Sequence, residues 1–168
     1  MTQLQVNLSA SMFKQVHESF IAGFLKEELE ERHIISDAQF EGRKNSSTED
    51  ALAHTLLDVS ESLDNHQHVI LLYLDISKAF DRIFHPFMLE ILEEYKFSEN
   101  VVDLIGSYLT DRSYYIKPSD TVGDPIRPEH GSPQGGVLLP LLWIIYINPL
   151  VDTAHRKGHS VFSRDVAR

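Results

Sequence analysis

V-I-L-L-Y-L-D-I-S-K-A-F-D, residues Val69 to Asp81, decides how the rest of the chain is read. Its opening residues, Val69 to Leu74, are apolar without interruption, the composition of a strand buried on both faces rather than one with a wet side. Asp75 follows at once. A carboxylate in that place sits where a buried strand leaves the core, a common location for chemistry, although carboxylates at strand ends more often cap a helix or join an ion pair. Taken alone, the stretch predicts a central strand from Val69 to Ile76 with an acidic side chain at its end.

Composition narrows what can surround that strand. A chain of 168 residues suits one domain with a sizeable core, and 42% hydrophobic with 24% charged residues is ordinary for a globular fold. There is no cysteine, which excludes disulfides and thiolate metal sites and fits a cytoplasmic or nuclear protein. The formal net charge of -10 means that any contact with phosphates must come from local basic patches. The N-terminus, M-T-Q-L-Q-V-N-L-S-A, has neither the basic head nor the apolar run of a signal peptide. The longest apolar segment, Val137 to Ile147, falls short of the roughly 20 residues needed to span a bilayer and contains Pro140, so a soluble protein is expected.

Before the strand, Met12, Val16, Phe20 and Phe24 recur every four positions and predict an amphipathic helix from Met12 to Leu29, with Ser9 or Ser11 as its cap. Its acidic end, K-E-E-L-E-E-R, reads as a solvated face. Residues 34–48 are polar, contain Gly42, and carry Arg43 and Lys44 side by side, a loop with a small basic spot. Ser47 and Asp50 then have the spacing of a capping box, and Leu52, Leu56, Val59 and Leu63 trace one face of a second helix. His66 and His68 follow it; without a third ligand they read as a solvated turn rather than a metal pair.

After the strand, Pro86 suits a first helical turn, with Met88, Ile91, Leu92 and Tyr95 as the apolar face. A further helix is expected to start at Asn100, burying Val101, Leu104, Ile105, Tyr108 and Leu109. From Arg112 the S-Y-Y-I-K run and the Pro- and Gly-rich residues after it suggest a hairpin. The chain then enters G-S-P-Q-G-G. A buried helix from Val137 to about His155, interrupted or ended near Pro149, and a short strand at Val161 and Phe162 complete the reading.

These pieces gain meaning from their order. The L-D-I-S-K-A-F-D stretch, two helices, Y-L-T-D-R-S-Y-Y-I, and then G-S-P-Q-G-G-V-L-L-P-L-L-W-I-I-Y-I-N-P-L resemble the reverse transcriptase domain of non-LTR retrotransposons, including jockey-like elements. Upstream, Q-F-E-G-R-K-N-S-S-T-E-D-A-L resembles that family's Q-F-G-F-R-K-x-x-S-T motif, so the resemblance runs from about residue 10 to the C-terminus. It implies an α+β fold, the right-hand polymerase: fingers-side helices and loop over 10–68, and a partial palm with inserted fingers elements over 69–168. It also implies RNA template, DNA primer and deoxynucleotide triphosphates as partners, with Mg²⁺ as cofactor. Asp75 would be the first metal-binding carboxylate, since hard oxygen ligands held at a strand end suit Mg²⁺. Phe80 matches the bulky residue that packs under the nucleotide sugar, and ordinary core packing is compatible with that role. Pro133, Gln134 and Gly135 match the motif that aligns template and nucleotide, where glycine admits close backbone approach. Arg43 and Lys44 match basic residues on the fingers side that would meet phosphates, and a solvated surface explains them equally well.

The pattern breaks at the second metal site. Where the family has aromatic-Ala-Asp-Asp, this chain has Phe162-Ser163-Arg164-Asp165. Arg164 stands in place of the first aspartate, and Asp165, the surviving carboxylate, points to the other face of a strand. Glu41-Gly42 replaces the usual Gly-Phe, Ser132 an apolar residue, Gly136 and Leu139 serines, and Pro149 the aspartate of I-Y-x-N-D-L. The sequence ends at Arg168, before the returning strand, the lysine-bearing motif and the thumb. The expectation is a polymerase-derived domain that is catalytically silent. The alternative is a noncatalytic nucleic-acid-binding or interaction remnant.

Overall fold

The computed structural model describes residues 2–41, 43, 46–110, 127–132 and 135–157, with side chains from Gln15 onward. Its elements are α1 (Thr2–Glu31), α2 (Thr48–Asp64), a 3-10 turn (Ala79–Arg82), α3 (His85–Glu94), α4 (Glu99–Thr110) and α5 (Leu139–Arg156). The expected hairpin after Arg112, up to residue 126, and the strand at Val161 and Phe162 lie outside the described residues.

Local sequence explains how the helices start and stop. Ser47 caps α2 as its spacing predicts: its Oγ accepts from Asp50 N at 3.2 Å, and Asp50 Oδ2 accepts from Ser47 N at 2.7 Å. At the other end, α1, α2 and α3 each close on a left-handed residue that is not glycine, His33, His66 and Lys96. The same pair of bonds finishes each helix: Ile34 N to Leu29 O and His33 N to Glu30 O, Gln67 N to Ser62 O and His66 N to Leu63 O, Phe97 N to Leu92 O and Lys96 N to Glu93 O. This is the Schellman arrangement, which satisfies carbonyls the helix leaves orphaned. In α1 and α3 its last residue is apolar, Ile34 and Phe97, and both join the core; in α2 it is Gln67.

The core draws on α1, α3, α4 and α5 far more than on α2. Leu25 and Leu29 of α1 meet Met88, Ile91 and Leu92 of α3, Val102, Ile105 and Leu109 of α4, and Leu139, Leu142, Trp143 and Ile145 of α5, with Ile83 and Leu138 between. From α2 only Ala51 is buried. The predicted stripe of α2 is therefore a face without cover: Leu52, Leu56 and Leu63 are all more than half exposed.

Several expectations are corrected here. α1 is longer than Met12 to Leu29 and begins at Thr2, so Ser9 and Ser11 lie inside it rather than capping it. The face that enters the core holds Glu18, Ile21, Ala22, Leu25 and Leu29, while Val16, Phe20 and Phe24 are exposed. Both faces are apolar enough to read as buried, and tertiary contacts choose between them. α4 starts at Glu99, with Ser98 O accepting from Val101 N and Val102 N, which leaves Asn100 inside the first turn. α5 runs straight through Pro149 to Arg156; proline removes one donor, but packing on both sides holds the helix.

The largest correction concerns the opening stretch. Residues 69–76 belong to no β-ladder, and among the described residues there is no strand; Phe84 and His130 form an isolated antiparallel bridge. Ile70 is 91% exposed, Tyr73 84% and Leu74 80%. A strand is stable only through a paired neighbour, and none of the described segments lies alongside. The fingers and palm layout is accordingly not seen in the described residues, which are mostly helical. None of their helices is long and apolar enough to cross a membrane.

Candidate active site

The chain turns sharply after Asp75. Lys78 takes a left-handed conformation (φ 54°) and the 3-10 turn Ala79–Arg82 follows, closed by Asp81 N to Lys78 O at 3.0 Å and by Arg82 Nε donating to Ser77 O at 3.0 Å. This turn is fixed to α5 through Phe80, whose ring meets Trp143 edge-on at 6.2 Å and 83°. Trp143 in turn stacks on Tyr146 at 5.9 Å, and Tyr146 meets Phe87 of α3 edge-on at 5.4 Å. Phe80 is thus half-buried against the core, the packing its sequence position allows.

The same turn receives the entry to G-S-P-Q-G-G. Gly131 N donates to Ile83 O at 2.8 Å, His85 N donates to Glu129 O at 3.1 Å, and the ring of buried His85 contacts Gly131 O through Nε2 at 2.7 Å. A carbonyl only accepts, so Nε2 carries the proton. A Cβ on Gly131 would lie 3.3 Å from Asp81 Cα and 3.4 Å from Asp81 O, and its φ is +81°. Glycine is required by both the conformation and the approach. On the far side of the motif, Gly135 has φ +80° and Val137 N donates to Glu18 Oε2 at 2.9 Å. Glu18 is 4% exposed, and its carboxyl meets the chain just before the N-terminus of α5, where the helix dipole favours an acidic side chain.

Two segments distant in sequence, the turn after Asp75 and the loop that carries the P-Q-G motif, are therefore brought together. Asp75 itself is exposed on the extended segment. Arg43 is held by its own loop: its guanidinium donates to Asp37 Oδ1 at 2.9 Å and to Ser36 O at 3.3 Å. Lys44, Pro133, Gln134 and Asp165 lie outside the described residues, as does Arg164. Among the described residues no three histidine or carboxylate side chains converge into a cation site. These residues do not by themselves make up a two-ion magnesium centre.

Glu18, His85 and Gly131 were not singled out by the sequence reading. A glutamate on the face shared by Ile21, Ala22 and Leu25 was a visible anomaly for α1, and Gly131 opens the quoted motif; His85 gave no signal of its own.

The chain belongs to the family described as reverse transcriptase (RNA-dependent DNA polymerase), which matches residues 9–166. Within it, the chain is similar to the probable RNA-directed DNA polymerase from transposon BS of Drosophila melanogaster, 28% identical over 141 residues that make up 84% of this chain and 15% of that protein. It is also 28% identical to the RNA-directed DNA polymerase from mobile element jockey of the same species over 117 residues, 69% of this chain and 13% of the relative. A match at 33% identity over 78 residues, 46% of the chain, is to the Pol polyprotein from type-1 retrotransposable element R2 of Popillia japonica. The chain spans about one seventh of the length of these curated relatives.

Proposed function

We propose that this chain carries fingers and palm elements of a retrotransposon reverse transcriptase whose inherited reaction is Mg²⁺-dependent, RNA-templated addition of deoxynucleotides to a DNA primer, and that in this chain the reaction is silent. Asp75 and Asp165 are the carboxylates of that reaction, Pro133, Gln134 and Gly135 the template-side loop, Phe80 the residue beneath the sugar, and Arg43 and Lys44 the phosphate contacts. Its place of action is cytoplasmic or nuclear. The close approach of Gly131 to Asp81 supports reading the two motifs as one site.

The observation that carries silence is Arg164. A unit charge ~4 Å away at an effective dielectric of ~20 is worth ~4 kcal/mol, and exchanging an anion for a cation reverses its sign. At about 1.4 kcal/mol per decade, that removes several orders of magnitude in rate. The test is primer extension on an RNA template with Mg²⁺ or Mn²⁺, comparing the chain with Arg164→Asp and Asp75→Ala. No extension by the unmodified chain is expected; extension that Asp75→Ala abolishes sinks the reading.

A second reading, an interaction module retained without catalysis, is favoured by the uncovered leucines of α2 and of residues 70–74. Template binding that weakens steeply with salt, without extension, would support its nucleic-acid version, against which the charge of -10 weighs.

A further inference from the structure

Glu18 is buried on the face of α1 that it shares with Ile21, Ala22 and Leu25. An acidic side chain among apolar neighbours is costly unless its oxygens are bonded, and Oε2 accepts from Val137 N at 2.9 Å, 119 residues along the chain. The amide it meets lies where a cap is missing. Leu138 holds the cap position of α5 without a side-chain bond, and Gly136 and Leu139 beside it carry no side-chain oxygen. A serine or aspartate there would satisfy a first-turn amide from within α5 itself. The bond from Glu18 does so from another helix, and therefore ties the exit of the P-Q-G loop to α1.

The two ends of that loop are held differently. At the entry, Gly131 is bonded to Ile83 and His85 and packs on the backbone of Asp81. At the exit, Gly135 is exposed with φ +80°, a Cβ on it would meet nothing within 4 Å, and the Val137 side chain is exposed as well. Two successive glycines leave this backbone wide freedom, and side-chain packing resumes only at buried Leu138. Leu138 fixes where α5 starts, whereas the Glu18 bond fixes which way the Gly136–Val137 peptide faces. We infer that Glu18 is a positioning residue for the P-Q-G loop: its carboxyl group orients that peptide and so sets the course of the backbone from Gly135 into α5. The inference rests on the reading of Pro133, Gln134 and Gly135 as the template side.

Two variants of the whole chain separate the acceptor from the space it fills. Glu18→Gln keeps an accepting oxygen, while Glu18→Met occupies similar volume, suits a helix and offers only a weakly accepting sulfur. Amide hydrogen exchange read by NMR reports on Val137 directly. Protection of Val137 is expected in the unmodified chain and in Glu18→Gln, and exchange at least about tenfold faster in Glu18→Met, with the core amides of Leu92 and Ile105 unchanged. Unchanged Val137 exchange in Glu18→Met overturns the inference, as does Glu18→Gln behaving like Glu18→Met. A general acceleration that includes Leu92 and Ile105, or loss of the fold, also overturns it, because Glu18 would then serve stability alone. Anisotropy of a labelled RNA–DNA primer–template at low salt reads the consequence. Gln134→Ala and Glu18→Met are each expected to weaken binding several-fold, the double variant no further than Gln134→Ala, and Glu18→Gln to bind as the unmodified chain does. Binding weakened by Gln134→Ala but not by Glu18→Met overturns the inference. No binding by the unmodified chain, or none lost in Gln134→Ala, instead overturns the template-side reading and the link to it, while the exchange result still decides whether Glu18 orients the loop.

Discussion

Gly131 and Ser132 are neighbours on one loop and respond to substitution in opposite directions. Gly131 holds φ +81° with Asp81 backbone 3.3 Å from where a Cβ would be. The left-handed conformation alone costs an L-residue roughly 1–2 kcal/mol, and the listener on the other side is backbone, which cannot swing away. Gly131→Ala is therefore expected to lower stability by about 2 kcal/mol, read as a lower urea midpoint. Ser132 is 5% exposed, and its hydroxyl finds no hydrogen-bond partner among the described residues. Such a group keeps its full desolvation cost, so Ser132→Ala is expected to raise stability by about 1 kcal/mol, read as a higher urea midpoint. A drop in stability for Ser132→Ala would mean that the hydroxyl is in fact bonded.

At the level of elements, the cap of α2 can be followed by pH. Two hydrogen bonds from Ser47, the side-chain bond first, hold the Asp50 carboxyl below its ordinary value. A folded pKa lowered in this way gives stability that is present above the unfolded value of 3.8 and is lost as pH falls through the folded one. Helicity of α2 is expected to fall on acidification past the ordinary carboxylate range, and Ser47→Ala to flatten that dependence; circular dichroism against pH checks both. This cap was legible because it is a matter of adjacent residues. The same holds for the Pro86 start of α3 and its apolar stripe, whereas on α4 only Ile105 and Leu109 of the expected stripe are buried, Leu104 is exposed and Val102 is buried instead. What could not be read depends on distant partners. The face of α1 was misassigned because Glu18 finds its acceptor role 119 residues away, at Val137. The strand at 69–76 was inferred from composition, whereas a strand exists only with a neighbour to pair. For the site, the motifs identified the residues, but the docking of Gly131 on Asp81 and the clamp by His85 come from the tertiary fold.

Across the whole molecule, one buried side chain ties the pieces together. Asn148 of α5 is 2% exposed. Its Oδ1 accepts from Ser36 N at 2.8 Å, and its Nδ2 donates to Ile34 O at 3.1 Å and to Tyr95 Oη at 2.7 Å, joining the loop after α1 and the end of α3 to α5. Gln39 adds a bond from its Nε2 to Ile144 O at 3.1 Å. The loop that holds Arg43 is thus anchored on the helix that follows the P-Q-G motif. Asn148→Ala would leave the half-buried Ser36 amide and Ile34 carbonyl without this partner, and is expected to cost about 2 kcal/mol. Tyr95→Phe removes one acceptor and is expected to cost about 1 kcal/mol. Burial, against the opposing bond from Asn148, pushes the Tyr95 hydroxyl above its ordinary 10.0. The native state then keeps a proton that the unfolded chain gives up, so this stability is fully present below pH 10.0 and is lost as pH rises from there through the folded value. Urea unfolding of the unmodified chain and Tyr95→Phe, at neutral pH and above the tyrosine range, separates the two effects. The gap between the proteins should narrow or reverse in alkali if Tyr95 is buried at this junction, and a gap independent of pH would place its hydroxyl in water instead.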